Sequence, residues 1–357
     1  MTQPLYIISS CAISPQLSYD SEHFLAPPVS TDSGKMYVGD VDYHRYISPV
    51  AIRRMSRMLK IGITAGMRCL EKAGVKTPLA IITGTSRGSV TDMEVFMKDM
   101  ITLEEEALNP SGFIQSTYNS VNGWLALMAQ CKGYNQAFVH RGFSFELAVF
   151  DAMLTLAETD SDAYILCGSF DELTEDYYKI RDKAGFFKRL TPPNLALLAH
   201  YDTPGSIAGE GAAFFTVSNN STGASCAILD VEMIHQADWT KVKNAIDDLL
   251  IKNGLVAADI DILLSGMNGD SRNAFIVEPL LAALPVQTSI VVFKHLCGEY
   301  ATASSFGIWL AHSIFNLGKI PPAALYRSGT STNIRNMLFF NVTISNNVSV
   351  MLLRACV

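Results

Sequence analysis

The chain has 357 residues, 49% of them hydrophobic and 17% charged, and a formal net charge of −7. With a mean hydropathy of +0.21, it can bury a large core, built as two domains or as one duplicated unit. Acidic and basic residues are interspersed, which argues against a nucleic-acid partner, and no apolar run reaches the roughly 18 residues a membrane span needs.

The opening MTQPLYIISSCAIS reads as a strand without the basic leader of a signal peptide, so a soluble cytoplasmic protein is expected. Residues 20–47 are irregular. Residues 49–73 carry apolar positions at helical spacing, with Gly74 as the C-terminal cap. LAIITGTSRGS (79–89) is a buried strand running into a Gly/Ser/Thr loop. GTSRGS lacks the spacing of a phosphate loop and reads as a tight strand exit. Helices are predicted over 94–106 and 121–131, a short buried strand over 135–139 and a helix over 143–157. A buried strand follows at 162–172, then an irregular stretch, 174–206, and a Gly-rich turn with a strand at 209–219.

The second part repeats this order more compactly. Strands are predicted over 224–234, 259–270 and 289–300, the last two running into loops. Each strand precedes a helix, at 239–253, 274–284 and 301–317, and 336–344 with 348–357 form a final hairpin. Alternating strands and helices predict an α/β protein, and the repeated order suggests internal duplication. The seven cysteines (11, 69, 131, 167, 226, 297 and 356) are scattered and odd in number, and six sit among apolar or small residues. They fit neither a zinc site nor a disulfide framework and read as buried thiols.

In GYNQAFVHRGFSFELAVFDAML the strand 135–139 passes through His140-Arg141-Gly142 directly into a helix. Enzymes display nucleophiles at such elbows, because a helix N-terminus supplies spare N–H donors and a favourable dipole. Here the apex is a glycine, for which a positive φ is an open expectation.

Six segments, in order, resemble the β-ketoacyl synthase family: RRMSRMLKIG, ITGTSRG, NPSGFIQSTYNSVNGWLALMAQCKG, GEGAAFFTV, AADIDILLSGMNGD and FKHLCGEYATASS. The resemblance implies a duplicated thiolase-like fold layered αβαβα, with halves at 1–220 and 221–357. It also implies the chemistry of that family. An elbow cysteine accepts an acyl chain, a carrier-bound malonyl group is decarboxylated, and two histidines and a lysine handle the developing charge. The family's Gly-x-Asn, followed seven residues later by cysteine, falls on Gly133, Asn135 and Gly142. The histidine positions fall on Gly266 and Glu299, and the lysine on Lys294. NVTISNN stands where the family has a phenylalanine- and glycine-rich gate. Only the lysine keeps its chemistry.

The resemblance therefore implies a degenerate ketosynthase of the chain length factor type, as in type II polyketide, aryl polyene or flexirubin systems. Its partners would be an active ketosynthase in a heterodimer, or a second copy, and an acyl carrier protein. Phosphopantetheine would be the carrier of the substrate, with no cofactor or metal held by the chain itself. Two other readings stand: a divergent acyl-thioester hydrolase or decarboxylase using Ser144, His140 or Glu299, and a non-catalytic acyl-binding homodimer. Ser144 also suits a helix cap. His140 and Arg141 either line a pocket, meeting phosphopantetheine or a partner subunit, or fix the turn by hydrogen bonds. Glu299 with Lys294 reads either as an acid/base pair or, in preference, as an ion pair holding the loop. Arg53, Arg54, Arg57 and Lys60 would suit an acidic carrier, or form a solvated helix face.

Overall fold

Strands form where the sequence is apolar on both faces, as a sheet covered on both sides requires. The computed structural model describes residues 3–20, 25–343 and 345–356. Its strands are β1 (Leu5–Ile13), β2 (Lys35–Met36), β3 (Ala80–Thr85), β4 (Asn135–Val139), β5 (Tyr164–Asp171), β6 (Ala208–Gly209) and β7 (Gly211–Ser218). Then come β8 (Cys226–Ile234), β9 (Ile262–Ser265), β10 (Ser289–Val292), β11 (Leu325–Arg327), β12 (Asn336–Val342) and β13 (Val348–Ala355). Strands β2 and β6 pair with each other, and the remaining eleven form one mixed sheet ordered β11-β10-β9-β12-β13-β8-β1-β7-β5-β3-β4.

One five-strand pattern occurs twice in that sheet. Strands β4, β3 and β5 are parallel, and β7 and β1 follow antiparallel. In the same way β10, β9 and β12 are parallel, followed by antiparallel β13 and β8. The β1–β8 pairing joins the two runs.

Helices Ser144–Ala157 and Ser304–Leu317 occupy the middle layer, and their apolar faces share one core with strands of both runs. Helices Arg57–Ala73 and Ser120–Met128 cover the outer face of the first run. Helices Trp239–Lys252 and Ala274–Ala283 cover that of the second. The five layers are αβαβα, the thiolase-like α/β fold expected. Each fully buried Leu, Ile or Phe contributes about 1.5–3 kcal/mol. Close packing depends on small residues: a Cβ on Gly62 or Gly66 would lie 2.8 Å from Val121 or 2.7 Å from Leu125.

Several boundaries differ from the sequence reading. The helix over 49–73 is two, Pro49–Ile52 and Arg57–Ala73, because the Ser48 and Ser56 hydroxyls each cap a separate start. Gly74 ends the second in the left-handed conformation, φ 69°. The helix predicted at 94–106 is Val90–Thr102, and left-handed backbone at Glu104 and Glu105 follows it. Within 174–206, Thr174 caps a helix, Glu175–Lys183. Strand β4 was expected to be buried, yet Asn135 and Val139 are exposed, since only β3 pairs with it. Ile344 and Val357, the predicted hairpin ends, lie outside the described residues, as do Met1 and Thr2 of the predicted opening strand. Six cysteines are buried and Cys356 is half-buried. No helix among the described residues is long and apolar enough to cross a membrane.

Candidate functional site

The elbow is built by three elements meeting closely. Strand β3 runs beside β4, and Gly84 on β3 abuts the first turn of helix Ser144–Ala157. A Cβ on Gly84 would overlap the Ser144 carbonyl and come within 2.6 Å of the Phe145 nitrogen. Ser144 is fully buried. Its hydroxyl accepts the His140 N–H at 2.8 Å and lies 2.8 Å from the Thr85 carbonyl and 2.5 Å from that of His140, to which it can donate. Ser144 therefore stitches the junction from a buried position, in keeping with the structural reading of it and not with a nucleophile's role.

His140 also turns inward. Its Nδ1 accepts the backbone N–H groups of Gly142 and Phe143, each at 3.1 Å, and its ring stacks on Phe143. An accepting Nδ1 requires a neutral ring with its proton on Nε2. Burial, and then the neighbouring His235, push the His140 pKa below its ordinary value, which favours that form. The N–H donors that a helix N-terminus would aim at an oxyanion are thus already used. His140 fixes the turn, and of the three elbow side chains only Arg141 lines a cleft.

Gly142 does not adopt a positive φ, contrary to the open expectation. What restricts it is Asn347, from the β12–β13 turn. A Cβ on Gly142 would lie 2.7 Å from Asn347 Nδ2, and Asn347 Oδ1 is 2.8 Å from His235 Nδ1. Gly266 is similarly enclosed: its N–H donates to the Phe340 carbonyl at 2.7 Å, and a Cβ would meet Asn341 Oδ1 at 2.5 Å.

Lys294 and Glu299 are buried and paired, Nζ to Oε2 at 2.8 Å. Lys294 also donates to the Val342 carbonyl at 2.8 Å, and Asn268 Nδ2 donates to Glu299 Oε2 at 2.7 Å. The pair ties the exits of β9, β10 and β12 together. Beside it opens a cleft of about 80 Å³, lined by Arg87, Arg141, Tyr177, Arg181 and Glu299 among others. Arg57 is not free for a carrier protein, because it makes a bidentate pair with buried Glu210, one contact at 2.7 Å. Arg53 and Arg54 remain exposed.

Asn347, Asn341, His235, Arg87 and Arg181 escaped the sequence reading. Arg87 lies in the quoted GTSRGS and Asn341 and Asn347 in the quoted NVTISNN, but each meets the site from a segment remote from the elbow in sequence, and nothing local to those motifs assigns the contact.

Residues 33–239, more than half the chain, match the family described as beta-ketoacyl synthase, N-terminal domain. No curated protein matches the chain. Among solved structures it is similar to the ishigamide ketosynthase/chain length factor, with TM-score 0.79, 18% identity and all of both chains covered. It is similar to AntDE:AntF, a type II PKS acyl-carrier protein in complex with its ketosynthase bound to the hexaketide, with TM-score 0.75 and 14% identity over 99% of this chain and 100% of that one. A beta-ketoacyl synthase from Burkholderia phymatum STM815 gives 0.76 and 15% over the whole of both chains. At these identities the structures speak to fold, and the family match speaks to descent: the chain belongs to the β-ketoacyl synthase family.

Proposed function

We propose that this chain is a chain length factor-type subunit, which condenses nothing itself and pairs with an active β-ketoacyl-acyl carrier protein synthase in a type II polyketide or aryl polyene-type pathway. The elbow carries this reading: Gly142 offers no thiol, and the N–H groups of Gly142 and Phe143 are held by His140. The partner synthase would supply the nucleophile. Acyl carrier protein would deliver the chain on phosphopantetheine, which serves as carrier and not as a cofactor here. The division into halves at 1–220 and 221–357 belongs to the same proposal.

A surface suited to that partner supports the reading. The outer edge of β4 has no neighbouring strand among the described residues, and an unpaired edge is a template for another strand. Just before β4 in sequence lies an apolar groove of about 890 Å³ lined by Ile114, Trp124, Leu127 and Cys131. Ile114 and Leu127 are 64% and 74% exposed. An obligate interface here should bury more than roughly 2,000 Å².

The rival acyl-thioester enzyme fits the geometry poorly. Ser144 bonds only backbone, His140 Nδ1 is occupied, and Glu299 is tied to Lys294. Co-expression with a tagged, cysteine-bearing ketosynthase tests the proposal. A one-to-one heterodimer is expected by light scattering, and Ala137→Pro in β4 should abolish it. A stable homodimer that ignores the synthase would favour the acyl-binding alternative and refute the heterodimer.

A further inference from the structure

The cleft beside the elbow holds positive charge that the partner role does not use. Arg87 comes from the β3 exit, Arg141 from the elbow and Arg181 from helix Glu175–Lys183, and all three line the same cleft. The Arg181 guanidinium sits 3.4 Å from the Phe186 ring centroid and 5.7 Å from that of Tyr177. Arg87 stands 4.9 Å from the same Tyr177 ring. These cation–π contacts leave the guanidinium N–H groups of Arg87 and Arg181 available to a ligand. Among the described residues, none of the three has a carboxylate partner or hydrogen bond. Glu299, the carboxylate lining this cleft, is paired with Lys294 at 2.8 Å. Asp171 and Glu172 line the adjoining cavity that Arg87 and Arg181 share, and accept hydrogen bonds from Ser86, Thr302 and Thr91.

We propose that Arg87, Arg141 and Arg181 form a binding site for a phosphate group. Three like charges around one small space repel, and an anion between them would reverse the sign of that interaction. Burial draws the Arg181 pKa down from its usual value; Tyr177 and Glu299 oppose the shift, and Arg87 and Arg141 add to it. The space, about 80 Å³, suits a single head group, with the rest of the ligand outside. Arginine forks bind carboxylate and phosphate alike, but a planar carboxylate offers two oxygens to three donors arriving from three elements. A tetrahedral phosphate has an oxygen for each. Its source is either a free phosphorylated small molecule or the phosphate of a carrier-borne pantetheine arm.

The site concerns this chain's own residues, so its test does not depend on the heterodimer. Titrating the purified chain with inorganic phosphate at constant ionic strength, by calorimetry, should give saturable one-to-one binding. Losing one charge-assisted fork should weaken binding about tenfold or more in Arg181→Gln and in Arg87→Gln, while Arg189→Gln, exposed and outside the cleft, should bind normally. If Arg181→Gln fails to fold, Arg181→Lys keeps the charge without the fork and should bind at intermediate strength. Competition by free 4′-phosphopantetheine would assign the carrier arm as the source, and its failure to compete would assign a different phosphate compound. Absence of saturable binding, binding unchanged in the cleft variants, or stronger binding of malonate than of phosphate would each overturn the proposal.

Discussion

Installing a thiol at the elbow tests whether its geometry, and not only its missing side chain, excludes acyl transfer. In Gly142→Cys the new Cβ would lie 2.7 Å from Asn347 Nδ2 and 3.4–3.5 Å from Asn347 Cβ and Cγ. The asparagine must swing away and give up its 2.8 Å contact with His235. A lost hydrogen bond of about 1 kcal/mol and an off-rotamer side chain of similar cost predict destabilisation of about 1–2 kcal/mol. Backbone strain adds nothing, because Gly142 is not left-handed. The helix N-terminus would favour the thiolate, but both nearby N–H donors are bonded to His140 Nδ1. An oxyanion donor is worth roughly 10²–10³ in rate, so acylation of Gly142→Cys should be slow, and adding His140→Ala with Asn347→Ala should accelerate it by about that factor. Intact-mass kinetics with an acyl thioester, alongside urea denaturation, reads both effects. A single variant as stable as the parent and acylated as fast as the triple variant would refute the reasoning, and a β-ketoacyl product would show the catalytic positions misassigned.

The buried ion pair gives a second prediction: Lys294→Met leaves Glu299 uncompensated and should cost about 3–5 kcal/mol, while Lys294→Met with Glu299→Leu should recover most of it in urea melts. Equal losses in the single and double variants would contradict a structural pair. Burial raises the Glu172 carboxyl from 4.5 to about 7, against hydrogen bonds from Thr91 and with Glu210 and Asp92 nearby. The fold then holds a proton that the unfolded chain has released, so stability should fall as pH rises between those values and level off above, by about 3 kcal/mol in all. Glu172→Gln should flatten that slope, and urea midpoints at pH 5 and 8 in the variant that still differ as in the parent would rule the assignment out. Gly84→Ala drives a methyl into the Ser144 backbone and should cost about 3 kcal/mol; a soluble variant melting with the parent would refute that contact.

The parts of the fold legible in the sequence were those fixed locally. Helix Trp239–Lys252 follows its apolar periodicity because it packs on one face, and the hairpin of β12 and β13 reads as continuous apolar runs because it is covered on both faces. The break at 53–56 was missed since the apolar pattern runs across it, and only the Ser48 and Ser56 caps divide the helices. Helix Glu175–Lys183 carries its signal in charges, acidic at the start and basic at the end, and buries no residue fully, so a search for apolar stripes passes over it. The edge position of β4 depends on strand order, which composition does not encode. At the site, the elbow could be read from the strand-to-helix pattern, and Gly142 as the proposed nucleophile position only from the family resemblance. The blocking contacts could not: Asn347 is some two hundred residues from Gly142, and the three cleft arginines come from three separate elements.

Lys294 is the residue most easily misread. On the proposed correspondence with the family it is the one catalytic-position side chain whose chemistry survives, and from sequence alone that survival looks like residual activity. In the structure its ammonium is buried, so it needs a counter-charge whatever the chain does; an uncompensated buried ion costs several kcal/mol. Glu299 supplies that charge at 2.8 Å, and the family resemblance proposes its position for the second histidine. The lysine in turn holds the Val342 carbonyl at the end of β12, and the turn after β12 delivers Asn347 to Gly142. The substitutions therefore support one another. A carboxylate at 299 makes the retained lysine a structural cation and would repel a developing enolate. The asparagine turn fills the space beside an apex glycine, and His140 satisfies the N–H groups that a nucleophile's oxyanion would otherwise need. Restoring any one catalytic group meets a neighbour committed to packing or hydrogen bonding, so condensation should not return by a single reversion.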